Sequence, residues 1–262
     1  MKAFDIIQQF ESEQKSSSPL SRRDALNNGL QFGLKSALAM LPLGLLLKSN
    51  RSYAFGTTSA IDVLNFALKL EFLESEFYKM GLAASSLIPS TDRIVISQIS
   101  KHEASHIVLL QGAITAAGGT PVTKPAFDFT AKGTYGDVFT NYATFLTLAN
   151  AFEDTGVRAY KGQAANLIGT DTLTVALDIH SVEARHASEI RRLRGQKGWI
   201  TGKTTMGVPD AVYGGTISED NTTQGGVNVT TITTSSAASI QEAFDEPLTM
   251  EEVLAIATPF FA

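Results

Sequence analysis

The sequence predicts an all-α protein: a four-helix bundle with a long crossover, followed by an irregular carboxy-terminal extension that ends in a short helix. Three observations carry this prediction. Four segments of roughly 25 residues between positions 58 and 196 space their apolar residues at helical intervals. The chemistry-bearing residues of the first two segments recur in the last two. Between the halves, residues 119–136 are rich in Gly, Pro and Thr, too many for a tight hairpin and suited to a crossover.

Each element follows from local signals. Thr58 or Ser59 can cap a first helix whose apolar positions include Ile61, Leu64, Leu68, Phe72 and Leu73, running to about Ser85. A second runs from about Ser90, after Pro89, to Ala117, where Gly118-Gly119 ends it and Pro121 prevents its resumption. A third spans roughly 137–166 and a fourth roughly 170–196, with Gly195 and Gly198 at its end. Helices of this length reach about 38 Å, the size of a bundle. Residues 200–238 are dominated by Thr, Gly and Ser and read as a long loop or short strands draped on the bundle. From Ser239 the chain turns helical again, Thr249-Met250-Glu251-Glu252 reads as a capped helix start, and Pro259-Phe260-Phe261 can dock onto the body.

Composition narrows the chemistry. The 262 residues carry a net charge of −5 and contain four His and no Cys. Disulfide scaffolds, thiol redox chemistry and Cys-ligated zinc are excluded, and no global basic field exists to attract nucleic acid. Any metal site must be rich in carboxylates.

Residues 1–54 read as an export signal. Arg22-Arg23 precede a twelve-residue apolar run, 36–47, which is too short to span a bilayer. Ser52-Tyr53-Ala54 offers small residues for a signal peptidase, which places cleavage after Ala54. Paired arginines ahead of a mildly apolar segment resemble a twin-arginine signal, although Asp24-Ala25-Leu26-Asn27 departs from the usual Phe-Leu-Lys. The expected destination is the periplasm or cell envelope, reached through the twin-arginine translocase. An uncleaved anchor and a helix packed on the body are the competing readings. The remaining boundaries are 55–199 for the bundle and 200–262 for the extension.

The helices carry a repeated constellation. Glu71 is followed seven residues later by Tyr78, and Glu153 seven residues later by Tyr160. Glu103-Ala104-Ser105-His106 on the second helix matches Glu183-Ala184-Arg185-His186 on the fourth. The first pair is offset by 82 residues and the second by 80. Residues i and i+3 share a helix face, so Glu103 with His106, and Glu183 with His186, can each reach one metal ion. One Glu on each of two helices plus Glu-x-x-His on each of the other two is the ligand pattern of two-metal bundle sites. With 14 Glu and four His, chance supplies about 0.2 instances of Glu-x-x-His, and two are present. Four carboxylates balance two divalent cations; empty and ionised, they would repel one another in the core. The competing reading is a pair of solvated helix faces.

On these residues the chain resembles the ferritin-like superfamily, and within it the branch of plant desiccation-related proteins and their bacterial relatives. Leu68-Lys69-Leu70-Glu71-Phe72-Leu73-Glu74-Ser75-Glu76-Phe77-Tyr78 is similar to that branch's first-helix signature, and Ala243-Phe244-Asp245-Glu246-Pro247-Leu248 to its carboxy-terminal one. The resemblance covers about residues 55–262 and implies two metal ions held by Glu71, Glu103, His106, Glu153, Glu183 and His186. Glu74 shares a face with Glu71 and could substitute or bridge. Glu71 is preferred because its spacing to Tyr78 matches that of Glu153 to Tyr160, and the repeat places Gly156 where Glu74 stands. Glu74 then belongs to the hydrogen bonding around the ligands or meets solvent. Tyr78 and Tyr160 can hydrogen-bond ligand carboxylates and donate electrons locally, or simply pack in the core. His102 and His180 fall outside the repeat and read as surface residues, and Arg191, Arg192 and Arg194 as charges offsetting a helix dipole.

Such a site suits iron or manganese better than copper. Three functional classes follow: an oxidoreductase using the metal pair with O₂ or peroxide (ferroxidase, peroxidase or manganese catalase), a metal-sequestering protein, and a structural or stress-protective protein. Cage-type iron storage is the least favoured, and the sequence leaves a homo-oligomer open.

Overall fold

A computed structural model describes residues 58–262. Arg22, Arg23 and the cleavage position after Ala54 lie outside the described residues. Four long helices, α1 (Ala60–Ala83), α2 (Arg93–Ala116), α3 (Tyr142–Gln163) and α4 (Thr172–Leu193), form the bundle, with α1 packed on α2, α3 on α4, and α1 against α3 across the middle. Among the described residues no helix is long and apolar enough to cross a membrane.

The helix ends follow their caps. Ser59 starts α1 with a full capping box: its hydroxyl accepts from the Asp62 amide at 3.1 Å, and the Asp62 carboxylate accepts from the Ser59 amide at 3.2 Å. Such a cap contributes about 0.5–2 kcal/mol. The start of α2 falls at Arg93 rather than near Ser90, because the Pro89 carbonyl accepts from Asp92 and Arg93 and makes the intervening residues a turn. The third helix begins at Tyr142, five residues later than the periodicity suggests. Asn141 adopts extended backbone and accepts from the Ala143 and Thr144 amides, which fixes it as the cap and leaves 137–140 in turns. After Gln163 the chain tightens into a 3₁₀ turn, Ala164–Leu167. Gly195, at φ 71°, closes α4 while the Gln196 amide bonds back to Arg191.

The crossover and the chain end are pinned together. Phe127 pairs with Phe261 in an antiparallel bridge, flanked by bonds from the Asp128 amide to the Phe260 carbonyl at 2.9 Å and from the Ala262 amide to the Ala126 carbonyl at 3.0 Å. Beneath them Phe77 stacks on Phe145 at 4.7 Å and meets Phe129 and Phe152 edge-on, while Phe260 caps Phe152. This aromatic block closes one end of the bundle.

The extension is ordered and mostly irregular, as its composition suggests. It holds a two-residue hairpin, β1 (Thr223–Gln224) and β2 (Val227–Asn228), around Gly225-Gly226, then a five-residue helix, α5 (Ala237–Gln241), and α6 (Met250–Ala257). Thr249 and Glu252 form the expected capping box on α6.

Arg158 of α3 fastens this extension to the bundle. Its wholly buried guanidinium donates to the backbone carbonyls of Val212, Gly214, Ile217 and Glu246 and pairs with Glu219 at 2.8 Å. The Leu248 amide in turn bonds to the Arg158 carbonyl at 3.1 Å. One turn on, Gly162 is required: a Cβ there would lie 1.8 Å from the Leu248 carbonyl oxygen. Thus α3 is buried almost all round, by the bundle on one side and the extension on the other.

Removing this guanidinium strands a buried carboxylate and four carbonyls. Arg158→Ala is expected to cost about 3–5 kcal/mol in urea unfolding, with limited proteolysis cutting first within residues 200–248.

Candidate metal centre

The helical stripes bring all six predicted ligands together at mid-bundle. Glu71, Glu103, Glu153 and Glu183 have no exposed surface, and His106 and His186 are buried at 8% and 4% exposure. Their ligand atoms form two groups, each within 4.8 Å: Glu71, Glu103, His106 and Glu183 in one, and Glu103, Glu153, Glu183 and His186 in the other. Either group could hold a metal ion.

The two glutamates common to both groups span them oxygen by oxygen. Glu103 turns Oε2 to His106 Nδ1 at 3.1 Å and Oε1 to His186 Nδ1 at 2.9 Å. Glu183 turns Oε1 to His106 Nδ1 at 3.0 Å and Oε2 to His186 Nδ1 at 3.7 Å. Glu71 lies only on the His106 side, at 3.1 Å, and Glu153 only on the His186 side, at 3.4 Å. Both imidazoles therefore aim Nδ1 at the convergence of carboxylates, and the Glu-x-x-His glutamates are the shared pair.

The remaining polar satisfaction is incomplete in a telling way. Glu103 Oε1, Glu153 Oε2, both Glu183 oxygens and His186 Nδ1 are buried without a hydrogen bond, their close approaches being poorly angled. Buried polar atoms without partners are costly, and these all face one space. A divalent cation at each position would engage them, so the residues fit a metal pair.

The outer oxygens of the terminal glutamates are held reciprocally across the bundle. Tyr78 of α1 donates to Glu153 Oε1 of α3, and Tyr160 of α3 donates to Glu71 Oε1 of α1, both at 2.5 Å. The seven-residue Glu–Tyr spacing thus builds a crossed pair in which each tyrosine serves the other helix's glutamate. Burial, followed by the adjoining carboxylates, raises both phenols well above 10.0, so they stay protonated donors.

Protons and carboxylates share the charge of the centre. Burial raises Glu71, Glu74 and Glu153 well above the carboxylate value of 4.5, and Glu183 pushes each of them further. For His106 burial opposes the charge, but Glu103, Glu183 and Glu71 outweigh it and lift the imidazole to about 12; His186 is raised likewise. Burial would raise Glu183 too, yet the imidazoles on either side bring it down to about 2. Protons on the two imidazoles thus balance the carboxylate charge.

Four sequence expectations change here. Glu74 is wholly enclosed and lies outside both four-residue groups, facing Gly156. His102 is not a plain surface residue: its Nδ1 is 2.8 Å from His186 Nε2, the two rings lie nearly parallel, and its own Nε2 is 2.7 Å from the Gln98 carboxamide. The repeat gave no signal for it; the i−4 spacing from His106 on a shared face could have. His180 is half-buried with Nδ1 unpartnered. Arg191 is buried against Asp154 and Tyr213, and Arg194 reaches Asn150, Thr147 and Met206, so both tie α4 to α3 and the extension.

Metal and protons compete for these imidazoles. Divalent cation binding at pH 7 is expected to release at least one proton each from His106 and His186, and apparent affinity is expected to fall as pH is lowered. Calorimetric titration in buffers of different ionisation heat counts these protons directly.

No curated protein matches the chain. A family model described as Ferritin-like domain matches residues 59–196, from the cap of α1 to the turn that closes α4, and the chain belongs to that family.

Proposed function

We propose that this protein is an exported two-metal carboxylate oxidoreductase that binds iron or manganese and acts on O₂ or peroxide. The observation that carries the reading is the shared pair, Glu103 and Glu183, each turning one oxygen to either histidine within a buried site. Carboxylates and imidazoles without thiolates favour hard or borderline cations, which points to iron or manganese. A redox-active pair held there would supply two-electron chemistry.

The protein's own groups restrict what reaches that pair. Six ligands at 8% exposure or less keep the centre from bulk solvent, which suits a small reactant such as O₂ or peroxide better than a bulky organic one. Tyr78 and Tyr160 hold the terminal carboxylates in place and are the nearest phenols to any oxidised centre. The aromatic block around Phe77 closes one end of the bundle to water.

Export is supported by the sequence alone: cleavage after Ala54 would leave the capping box at Ser59 intact, five residues into the mature chain. The twin-arginine translocase carries folded proteins, which suits a centre loaded before export. The segments 68–78 and 243–248 support a place in the desiccation-related branch; the second is the strap bonded to Arg158.

Metal analysis of the mature protein tests the reading. About two iron or manganese ions per chain are expected, lost on Glu103→Ala with His106→Ala; unchanged stoichiometry in that variant sinks the site. Manganese-loaded protein is expected to decompose peroxide and iron-loaded protein to oxidise ferrous ion. A loaded protein inert in both assays would instead be a metal-binding or structural stress protein.

A further inference from the structure

The two hairpins repeat, but beside the metal centre the repeat breaks twice, and both breaks favour the same position. The first concerns the histidines. The 80-residue offset places Val182 of α4 where α2 has His102. His102 stands four residues before His106 yet bonds across the bundle to His186, through the 2.8 Å contact with Nε2. With His186 Nδ1 turned to the carboxylates, its Nε2–H is the donor and His102 Nδ1 the acceptor. His102 then carries its own proton on Nε2, and the Gln98 carboxamide accepts it by turning its oxygen to the place where its nitrogen stands, 2.7 Å from that ring atom. Val182 has no polar atom with which to do the same for His106.

The second break concerns the carboxylates. The 82-residue offset pairs Glu74 with Gly156. A Cβ on Gly156 would lie 3.1 Å from Glu74 Oε1 and 3.6 Å from Glu183 Oε2, so the glycine leaves a gap bordered by both oxygens. Glu183 Oε2 is the oxygen on the His186 side, and it is buried without a hydrogen-bond partner. Gly156 itself is one turn beyond Glu153 on α3, again on that side. The His106 side has nothing equivalent, since the residue that would supply it is the glycine.

We infer that the two metal positions are unequal: the position formed by Glu103, Glu153, Glu183 and His186 fills first and binds more tightly. His102 is the positioning residue that holds His186 in its ligating orientation, and Glu74, outside the four-residue group, places a fifth carboxyl group beside Glu183 Oε2 across the Gly156 gap. The position formed by Glu71, Glu103, His106 and Glu183 is the later, exchangeable one. A hydrogen-bonded backing on a ligating imidazole fixes its tautomer and raises its basicity, and losing it typically costs 10–100-fold in metal affinity. The inference rests on the two-metal reading above.

Anaerobic titration of metal-stripped protein with Mn²⁺, followed by the electron paramagnetic resonance of the free ion, separates the two ideas. The wild type is expected to bind one ion at least tenfold more tightly than a second. Glu71→Gln should keep the tight ion and lose the weak one, and Glu153→Gln the reverse. His102→Ala should weaken the tight step 10–100-fold, with recovery in His102→Asn, whose amide oxygen replaces the Nδ1 acceptor. Glu74→Gln should weaken the same step and leave the other unchanged, and Gly156→Ala, which closes the gap, should match it. Helical circular dichroism of each stripped variant establishes that it is folded. Two ions of equal affinity, or a tight ion that survives Glu153→Gln and vanishes in Glu71→Gln, overturns the inference and leaves the two-metal reading standing. A wild type that binds no ion overturns both.

Discussion

Five glutamates share the inside of one small bundle, and the rest of the structure answers to that constraint. Ionised carboxylates removed from water repel one another strongly and are tolerated only when paired with positive charge. Glu103, 3.1 Å from one imidazole and 2.9 Å from the other, is the point where this pairing is closest. Protons on His106 and His186 supply the positive charge when no metal does, and Tyr78 and Tyr160 engage the oxygens that face away from it. The arrangement balances its charge with protons or with metal ions.

The third helix bears most of the load. It contributes Glu153 and Tyr160 to the centre, Asp154 to Arg191 and Tyr213, and Arg158 to the extension. Its start is the helix boundary the periodicity places worst, because Asn141, not apolar spacing, decides it.

Much of the fold and the ligand set could be read from the chain because both rest on local rules. Residues i and i+3 share a face wherever a helix forms, so the two Glu-x-x-His motifs declared their geometry without tertiary knowledge. The caps at Ser59 and Thr249 were equally local. What could not be read depends on contacts between distant segments. His102 meets His186 across 84 residues, Arg158 meets Glu219 across 61, and neither partner marks the other by spacing. Charged residues late in a helix suggest dipole compensation by default, yet Arg191 and Arg194 turn inward because α3 and the extension offer Asp154, Asn150 and Met206. A repeat is informative about what it conserves between halves and silent about what it breaks.

The strap across α3 also sets an order of events in time. Arg158 finds its carbonyl partners at 212–217 and at 246, and the Leu248 amide closes the arrangement. During synthesis the four long helices emerge with that guanidinium still uncovered, because its carbonyl partners follow 54 to 88 residues behind it. The helices can therefore pair before the third is sealed, and the extension is a cover laid over a pairing already made.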